Sequence, residues 1–562
     1  MAKSWLRQYP AGVPSEVAVD AWPSLVALLD ESLHTHRERS ACVCLGRSLR
    51  YAELDERSLQ LAAWLQAQGL ARGERVVVML PNTPSFLVAT LGVLRAGLVV
   101  VNVDPRSSAR ELEHVLKDAG ARAIVVIDQA AATLQQALEN VPLQHVLLAR
   151  LGDLLGPLKG RLVNQLAQRV RKLVPNFQLP GAVPFMAALA RGKRLRPAHS
   201  RPALGPDDIA VLQYTGGTTG PSRGVVLLHR HVVAHLLQSR AWYAPALARI
   251  PPGEQPLTVG ALPLHHAYGF HLIALLGLFT GGCTLLVPQA QDTGALLKTL
   301  ARHRVHAFPG AESLFAALLR HPEMAHVDWS SLVLCIGGGM AVQPATAAAW
   351  AARTGCALCE GYGLSEAVAS VCCNPVDNRG YSGHLGVPLP GTEVVLLDDA
   401  GCEVPAGTAG EIAIRGPQVM AGYWQRPDET ARVMAPGGWL RSGDIGVMDE
   451  PGRLRLVDRK KDLIFVSGFN VYPGEVEDVL AQMPGVEECA VIGVPDERVG
   501  ELVKAVVVRQ GGGGSRPNEA DVRAWCEANL TGYKRPRVVE FRSQLPKSTV
   551  GKVLRRALRE AG

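Results

Sequence analysis

The chain reads as an α/β protein, with parallel sheets covered by helices, then a small antiparallel β segment, then a compact α+β unit at the C-terminal end. Three observations predict this. Strand-like and helix-like patterns alternate through the N-terminal part, the rhythm of βαβ units whose sheets are buried on both faces. From about Gly386 to Leu456 the texture changes to short strands cut by Asp/Gly/Pro turns, which suits a small antiparallel barrel or sheet. From Asp458 onward strand and helix patterns recur in a segment long enough to hold its own core.

Taken in order, Tyr51 to Gln68 places Leu54, Leu61 and Leu65 on one face of an amphipathic helix. Arg75 to Leu80 (RVVVML) is a buried strand, Pro84 to Ala96 a helix, Val99 to Val103 a second strand and Ala121 to Ile127 a third. Leu151 to Val174 is basic and partly amphipathic, with Lys159, Arg161, Arg169, Arg171 and Lys172. A solvated helix face accounts for it, and a peripheral membrane contact is the sharper alternative. No charge occurs from Pro256 to Gln291. Its apolar centre, Leu272 to Val287, approaches spanning length, but Gly281-Gly282 and the nearby His265, His266 and His271 favour a buried helix followed by a strand. In the antiparallel segment, Glu393–Leu397 and Gly410–Ile414 are short strands, and Gly511–Gly514 is a flexible surface turn.

Composition narrows the function. With 562 residues, 48% hydrophobic and 19% charged, the chain suits several soluble, folded domains. A net charge of +7 fits anionic ligands or an anionic surface. Nucleic acid is not an expected partner, because no helix-turn-helix, zinc spacing or dense basic run with aromatics is present. Eleven cysteines, an odd number, argue for a reducing cytoplasm, and MAKSWLRQYP lacks the apolar core of a signal peptide. Cys356 and Cys359 form a C-x-x-C without a second pair at zinc spacing, so a buried structural pair is expected.

The strongest motif is Tyr214-Thr-Gly-Gly-Thr-Thr-Gly-Pro-Ser-Arg-Gly224, set between the hydrophobic runs Ile209–Leu212 and Val225–Leu228. Glycines at 216, 217 and 220 would let backbone N–H groups approach phosphate oxygens, with hydroxyls from Thr218 and Thr219 and a fixed charge from Arg223. It lacks the GK[ST] of P-loop ATPases. By itself the loop establishes only anion binding.

With the motifs that follow it, the chain resembles the adenylate-forming superfamily, which includes acyl-CoA synthetases, luciferases and peptide-synthetase adenylation domains. Ala261-Leu-Pro-Leu-His-His-Ala-Tyr-Gly-Phe270 is similar to the family's aromatic/histidine motif. That similarity puts His266 beside the acyl carboxylate and Phe270 at a gating position. Gly337-Gly-Gly-Met-Ala-Val-Gln343 resembles the glycine segment of the adenine and acyl pocket, with Gly337 and Gly338 on the acyl side and Gly338 and Gly339 on the nucleotide side. Glu360-Gly-Tyr-Gly-Leu-Ser-Glu366 is highly specific, and the resemblance implies that Glu360, Gly361 and Gly363 frame the nucleotide, that Tyr362 stacks on adenine and that Ser365 meets the α-phosphate. It likewise implies that Glu366 binds Mg²⁺ together with Thr215. Trp439-Leu-Arg-Ser-Gly-Asp444 and Asp458-Arg-Lys-Lys-Asp462 supply Asp444 and Arg459 for the ribose, and Lys461 as hinge. Pro546-Lys-Ser-Thr-Val-Gly-Lys552 resembles the mobile loop whose Lys552 bridges the acyl carboxylate and the α-phosphate.

The resemblance implies a large domain, residues 1–457, of two mixed, mainly parallel sheets with a small β-barrel at 386–457. It also implies a mobile α+β lid at 458–562. The implied reaction joins a fatty acid to coenzyme A through acyl-AMP, using ATP and Mg²⁺ and feeding fatty-acid degradation. Segments such as Tyr423-Trp-Gln-Arg-Pro427 and Leu530-Thr-Gly-Tyr-Lys534 point to bacterial long-chain fatty-acid–CoA ligases. A medium-chain, aryl or terpenoid acid, or a separate carrier protein, stays open as an alternative substrate, as do a peripheral place on the inner membrane face and a homodimer. Arg223 departs from the lysine of most relatives and keeps the charge but not its shape.

Overall fold

The computed structural model describes residues 3–560 apart from 197–199, 216–221, 378–379, 467–468, 497, 512–515 and 549–550. The valine-rich runs become the centre of the first sheet. Arg75–Met79 lies between Val99–Asn102 and Ala123–Ile127, all parallel. Val76, Val77 and Val78 are fully buried, as strands covered on both faces must be. Among the described residues this sheet has eight strands. Ile209–Thr215 and Arg223–Leu228 extend it on one side, and His145–Ala149 and Val183–Pro184 on the other. Tyr51–Ala67 is the predicted amphipathic helix, with Leu54, Leu61 and Leu65 all buried.

A second sheet, of nine strands among the described residues, carries the central parallel strands Leu257–Gly260, Cys283–Leu286, Ala307–Gly310, Leu334–Gly337 and Leu358–Tyr362. The uncharged 256–291 stretch is a strand, a buried helical segment from Ala267 to Phe279, and a second strand, as its glycines and histidines require. No helix among the described residues is long and apolar enough to cross a membrane.

The stretch after residue 386 pairs antiparallel, in the order Glu393–Leu397, Ala409–Arg415, Trp439–Met448, Met434–Ala435, with Leu454–Arg459 also on Trp439–Met448. Among the described residues it takes the form of an open sheet. Beyond it, Val486–Asp496 and Gly500–Arg509 form a long hairpin flanked by Ile464–Val466 and Val538–Arg542. Alternation along this hairpin divides its side chains between two faces. Val491, Val503, Ala505 and Val507 pack with the helices Pro473–Ala481 and Glu519–Asn529. Ala490, Ile492, Val506 and Val508 pack with Leu545 and Leu558. Asp458 is tied into this unit, accepting from Gly474 N at 2.6 Å, whereas its neighbour Arg459 turns back toward Asp444.

Candidate active site

Strand ends bring several of the expected residues into contact. Thr215 closes one strand of the hairpin and stands opposite Arg223, which opens the next. Gly216, Gly217, Thr218, Thr219 and Gly220 lie outside the described residues. The Arg223 guanidinium sits 5.6 Å over the Tyr423 ring, and its Nε is 2.6 Å from Glu429 Oε2. The Tyr423 hydroxyl donates to Glu366 Oε1 at 2.8 Å. Burial and the Glu366 carboxylate push the Tyr423 pKa up, so the phenol stays a donor. Tyr423 therefore orients the carboxylate expected to hold the metal. It comes from 57 positions away and was missed as a site residue; the aromatic in the Tyr423–Pro427 segment was the available signal.

The turn that carries Ser365 and Glu366 is under tension. Ser365–Ala367 is a short 3-10 turn that ends at Val368 with φ 65° and ψ −64°. Ala369 N donates to Ala367 O at 2.8 Å, making a γ-turn of the rare, strained hand on a β-branched residue. Two contacts hold it. Ser370 N donates to the buried His235 Nε2 at 3.0 Å. Gly363 lies so close that a Cβ there would be 1.5 Å from Ala369 O. Strain of this kind persists only where the surroundings over-determine the backbone.

On the nucleotide side, Tyr362 donates to Asp444 Oδ2 at 2.8 Å and Arg459 Nε lies 3.0 Å from Oδ1. Asp444 and Arg459 face each other across an antiparallel pair. Glu360 is buried, and its Oε1 accepts from Val342 N at 2.8 Å. Burial raises its pKa to about 7, with Glu312 adding to it and the Val342 and Tyr381 hydrogen bonds opposing. The glycines after Leu334–Gly337 divide their roles. At Gly337 a Cβ would meet Val342 Cγ2 at 2.5 Å, so the missing side chain makes room for Val342. At Gly338 it would meet the Tyr268 ring at 2.9 Å, and Gly339 has φ 82° with open space beside it. Gly361 leaves only ordinary contact distances.

His266 begins the helical segment after the 261–266 loop, its Nδ1 accepting from Tyr268 N at 3.4 Å. Burial holds its pKa down to about 4, with His265 and the Lys552 ammonium lowering it and Asp104 opposing. The imidazole is therefore neutral at physiological pH. Phe270 is fully buried, edge-on to Phe86 and His271. Lys552 arrives on a loop closed by Ser548, whose N donates to Lys552 O at 2.7 Å. A Cβ on the adjacent Gly551 would lie 2.2 Å from Ser313 Oγ, so the loop rests on the helix Glu312–Arg320 of the large unit. Lys461 sits in the turn Lys460–Asp462 between the two units.

Two of these contacts yield expected results. Tyr423→Phe frees the Glu366 carboxylate and should raise the Mg²⁺ requirement of ATP–pyrophosphate exchange by about tenfold, the scale for a lost outer-shell partner. An unchanged Mg²⁺ titration would remove Tyr423 from the site. For Glu360, the folded pKa lies above its unfolded value, so its cost to stability appears as pH rises through about 4.5 to 7 and persists above that. Glu360→Gln should raise the thermal midpoint relative to the parent at about pH 8 but not near pH 4.

The chain is similar to known proteins. The AMP-binding enzyme family profile matches residues 29–424, and the AMP-binding enzyme C-terminal domain profile matches residues 475–552. The long-chain-fatty-acid–CoA ligase of Escherichia coli O6:H1 is 47% identical over 561 residues, covering 100% of this chain and 98% of that protein. ATP-bound MatB from Rhodopseudomonas palustris superposes with a TM-score of 0.79 at 30% identity, covering 96% of this chain and 98% of that one. An anthranilate CoA ligase in complex with anthranoyl-AMP superposes with a TM-score of 0.82 at 25% identity, covering 97% and 99%.

Proposed function

We infer, because the chain belongs to the AMP-binding enzyme family, that it is a long-chain fatty acid–CoA ligase working through an acyl-adenylate. The observation that carries the reading is the meeting of two distant parts of the sequence. The loop that carries Lys552, from the C-terminal unit, rests on Ser313 of the large unit, where Tyr362, Asp444 and Arg459 are joined by a hydrogen bond and an ion pair and Tyr423 holds Glu366.

In the first step a fatty carboxylate oxygen attacks the α-phosphorus of ATP; the new P–O bond forms as the bond to pyrophosphate breaks. Lys552 supplies positive charge where negative charge builds on the reacting phosphoryl group, and neutral His266 can orient the attacking carboxylate through a ring N–H without acting as a base. Asp444, whose oxygens keep lone pairs beyond Tyr362 and Arg459, accepts the ribose hydroxyls. Arg223 and the Thr/Gly loop meet the phosphates. Glu366 and Thr215 are hard oxygen donors, which fits Mg²⁺, and the ion would neutralise phosphate charge when bound. In the second step the sulfur of coenzyme A attacks the acyl carbonyl carbon, the thioester forms, and AMP leaves with the electron pair of the broken C–O bond.

We assign residues 1–457 to the nucleotide and acyl site and 458–562 to a lid that turns about Lys461 between the steps. The free thiols suit a cytoplasmic enzyme, and a lipid-borne substrate suits peripheral membrane contact. The test is a panel of acids with ATP, Mg²⁺ and coenzyme A, reading AMP and acyl-CoA together. Equal amounts of AMP and acyl-CoA, greatest with long-chain acids, are expected. ADP as product, or preference for an aryl acid, would overturn the assignment.

A further inference from the structure

The helix Pro157–Gln165 and the turn Leu166–Val170 that continues it bury only one face. Gly160 and Ala167 are buried, Val163 packs on the core, and a Cβ on Gly160 would lie 2.5 Å from Gly152 O. On the opposite side Leu158 and Leu162, one turn apart, are 83% and 66% exposed. Leu166 and Val170 continue the exposed ridge at the same spacing. Lys159, Arg161, Arg169, Arg171 and Lys172 are exposed beside it, and no Asp or Glu occurs between Pro157 and Lys172. An apolar ridge set among cations, on a helix of low overall hydrophobicity, is the pattern of a helix that lies in a lipid interface.

Its position adds a second observation. Lys159 Nζ reaches within 3.4 Å of where a Cβ on Gly46 would stand, at the tip of the hairpin joining Ser40–Cys44 to Arg47–Arg50. That tip holds Leu45, exposed and with φ 47°, an apolar side chain kept in a conformation L-residues avoid. Arg171 Nη1 donates to Gln289 Oε1 at 3.1 Å. Gly46 and Gln289 follow the carboxyl ends of Ser40–Cys44 and Cys283–Leu286, parallel strands in register with Leu257–Gly260. The chain leaving Leu257–Gly260 runs directly into the 261–270 segment that carries His266 and Phe270. The ridge and the acyl segment thus share one edge of one sheet.

We propose that the Leu158–Val170 ridge and Leu45 form a docking surface for an anionic bilayer, placed so that a lipid-dissolved acid enters beside the acyl segment. The leucines enter the acyl layer and the cations meet headgroup phosphates. Only the delivery step rests on the ligase reading; the docking itself is measured without turnover. The full-length protein is floated with phosphatidylcholine vesicles, with or without about a third phosphatidylglycerol, at low and high salt. Binding to the anionic vesicles that weakens in high salt is expected. The double variant Leu158→Glu, Leu162→Glu should lose binding on the order of tenfold or more. It should keep its turnover of oleate in detergent micelles while slowing on vesicle-borne oleate. A milder variant, Lys159→Gln with Arg161→Gln, should lose the anionic preference and leave the apolar ridge intact. Equal binding to both vesicle types by the parent, or unchanged binding by both variants, would overturn the proposal. So would a parent dimer in light scattering that the Leu→Glu pair splits while vesicle binding persists, which would make the ridge a contact between copies.

Discussion

Replacing Lys552 with alanine is expected to slow acyl-AMP formation by about 10²–10³-fold, the usual loss when a donor to developing charge is removed from a closed site. Thioester formation from supplied acyl-AMP and coenzyme A should fall far less, because there the bond changes occur at the acyl carbonyl carbon and no charge builds on a five-coordinate α-phosphorus. The loop that carries Lys552 is seated on Ser313 of the large unit, next to Gly551. ATP–pyrophosphate exchange reads the first step, and release of AMP from acyl-AMP with coenzyme A reads the second. An equal loss in both would mean that Lys552 holds the site's shape instead of its charge.

Gly363→Ala should be as damaging without touching a reacting atom. Its methyl would arrive 1.5 Å from Ala369 O, so the backbone on one side of Glu366 must move. Relief by side-chain rotation is closed off, because the obstacle is main chain. The neighbouring γ-turn at Val368 has little room to yield, and a shift of about 1 Å in Glu366 or Ser365 is worth roughly 10²-fold in rate. Overpacking of this kind also costs about 1–3 kcal/mol or more of stability. Exchange activity should fall on that scale with a lowered thermal midpoint. Normal exchange and an unchanged midpoint would show that the turn is softer than its dihedral angles imply.

Much of the fold was legible because local pattern and burial agree. RVVVM and AIVVI could only be central parallel strands, and Gly281-Gly282 correctly ended the apolar run before it became a span. The antiparallel segment was read as barrel or sheet, since period-two alternation fixes pairing faces but not whether the last strand returns to the first. Site residues were read from motifs, and motifs name residues without naming their neighbours. Glu366 was visible, but the phenol of Tyr423 that holds it is brought near only by the pairing of Gly422–Tyr423 with Val225 and Val226. Gly337 and Gly363 looked alike as glycines beside a ligand. The first makes room for Val342 and the second for a carbonyl of its own turn, which only tertiary structure distinguishes.

The guanidinium of Arg555, late in the C-terminal unit, gathers the carboxylates on either side of the turn Lys460–Asp462. It lies 3.3 Å from Asp458 Oδ1 on one side of the turn, 3.3 Å from Asp462 Oδ2 on the other, and 2.6 Å from Glu477 Oε2. If the lid turns about Lys461 as proposed, the distance between the two aspartates changes and one strand of this three-way rope has to be let go, so Arg555 would set how long the present arrangement is kept.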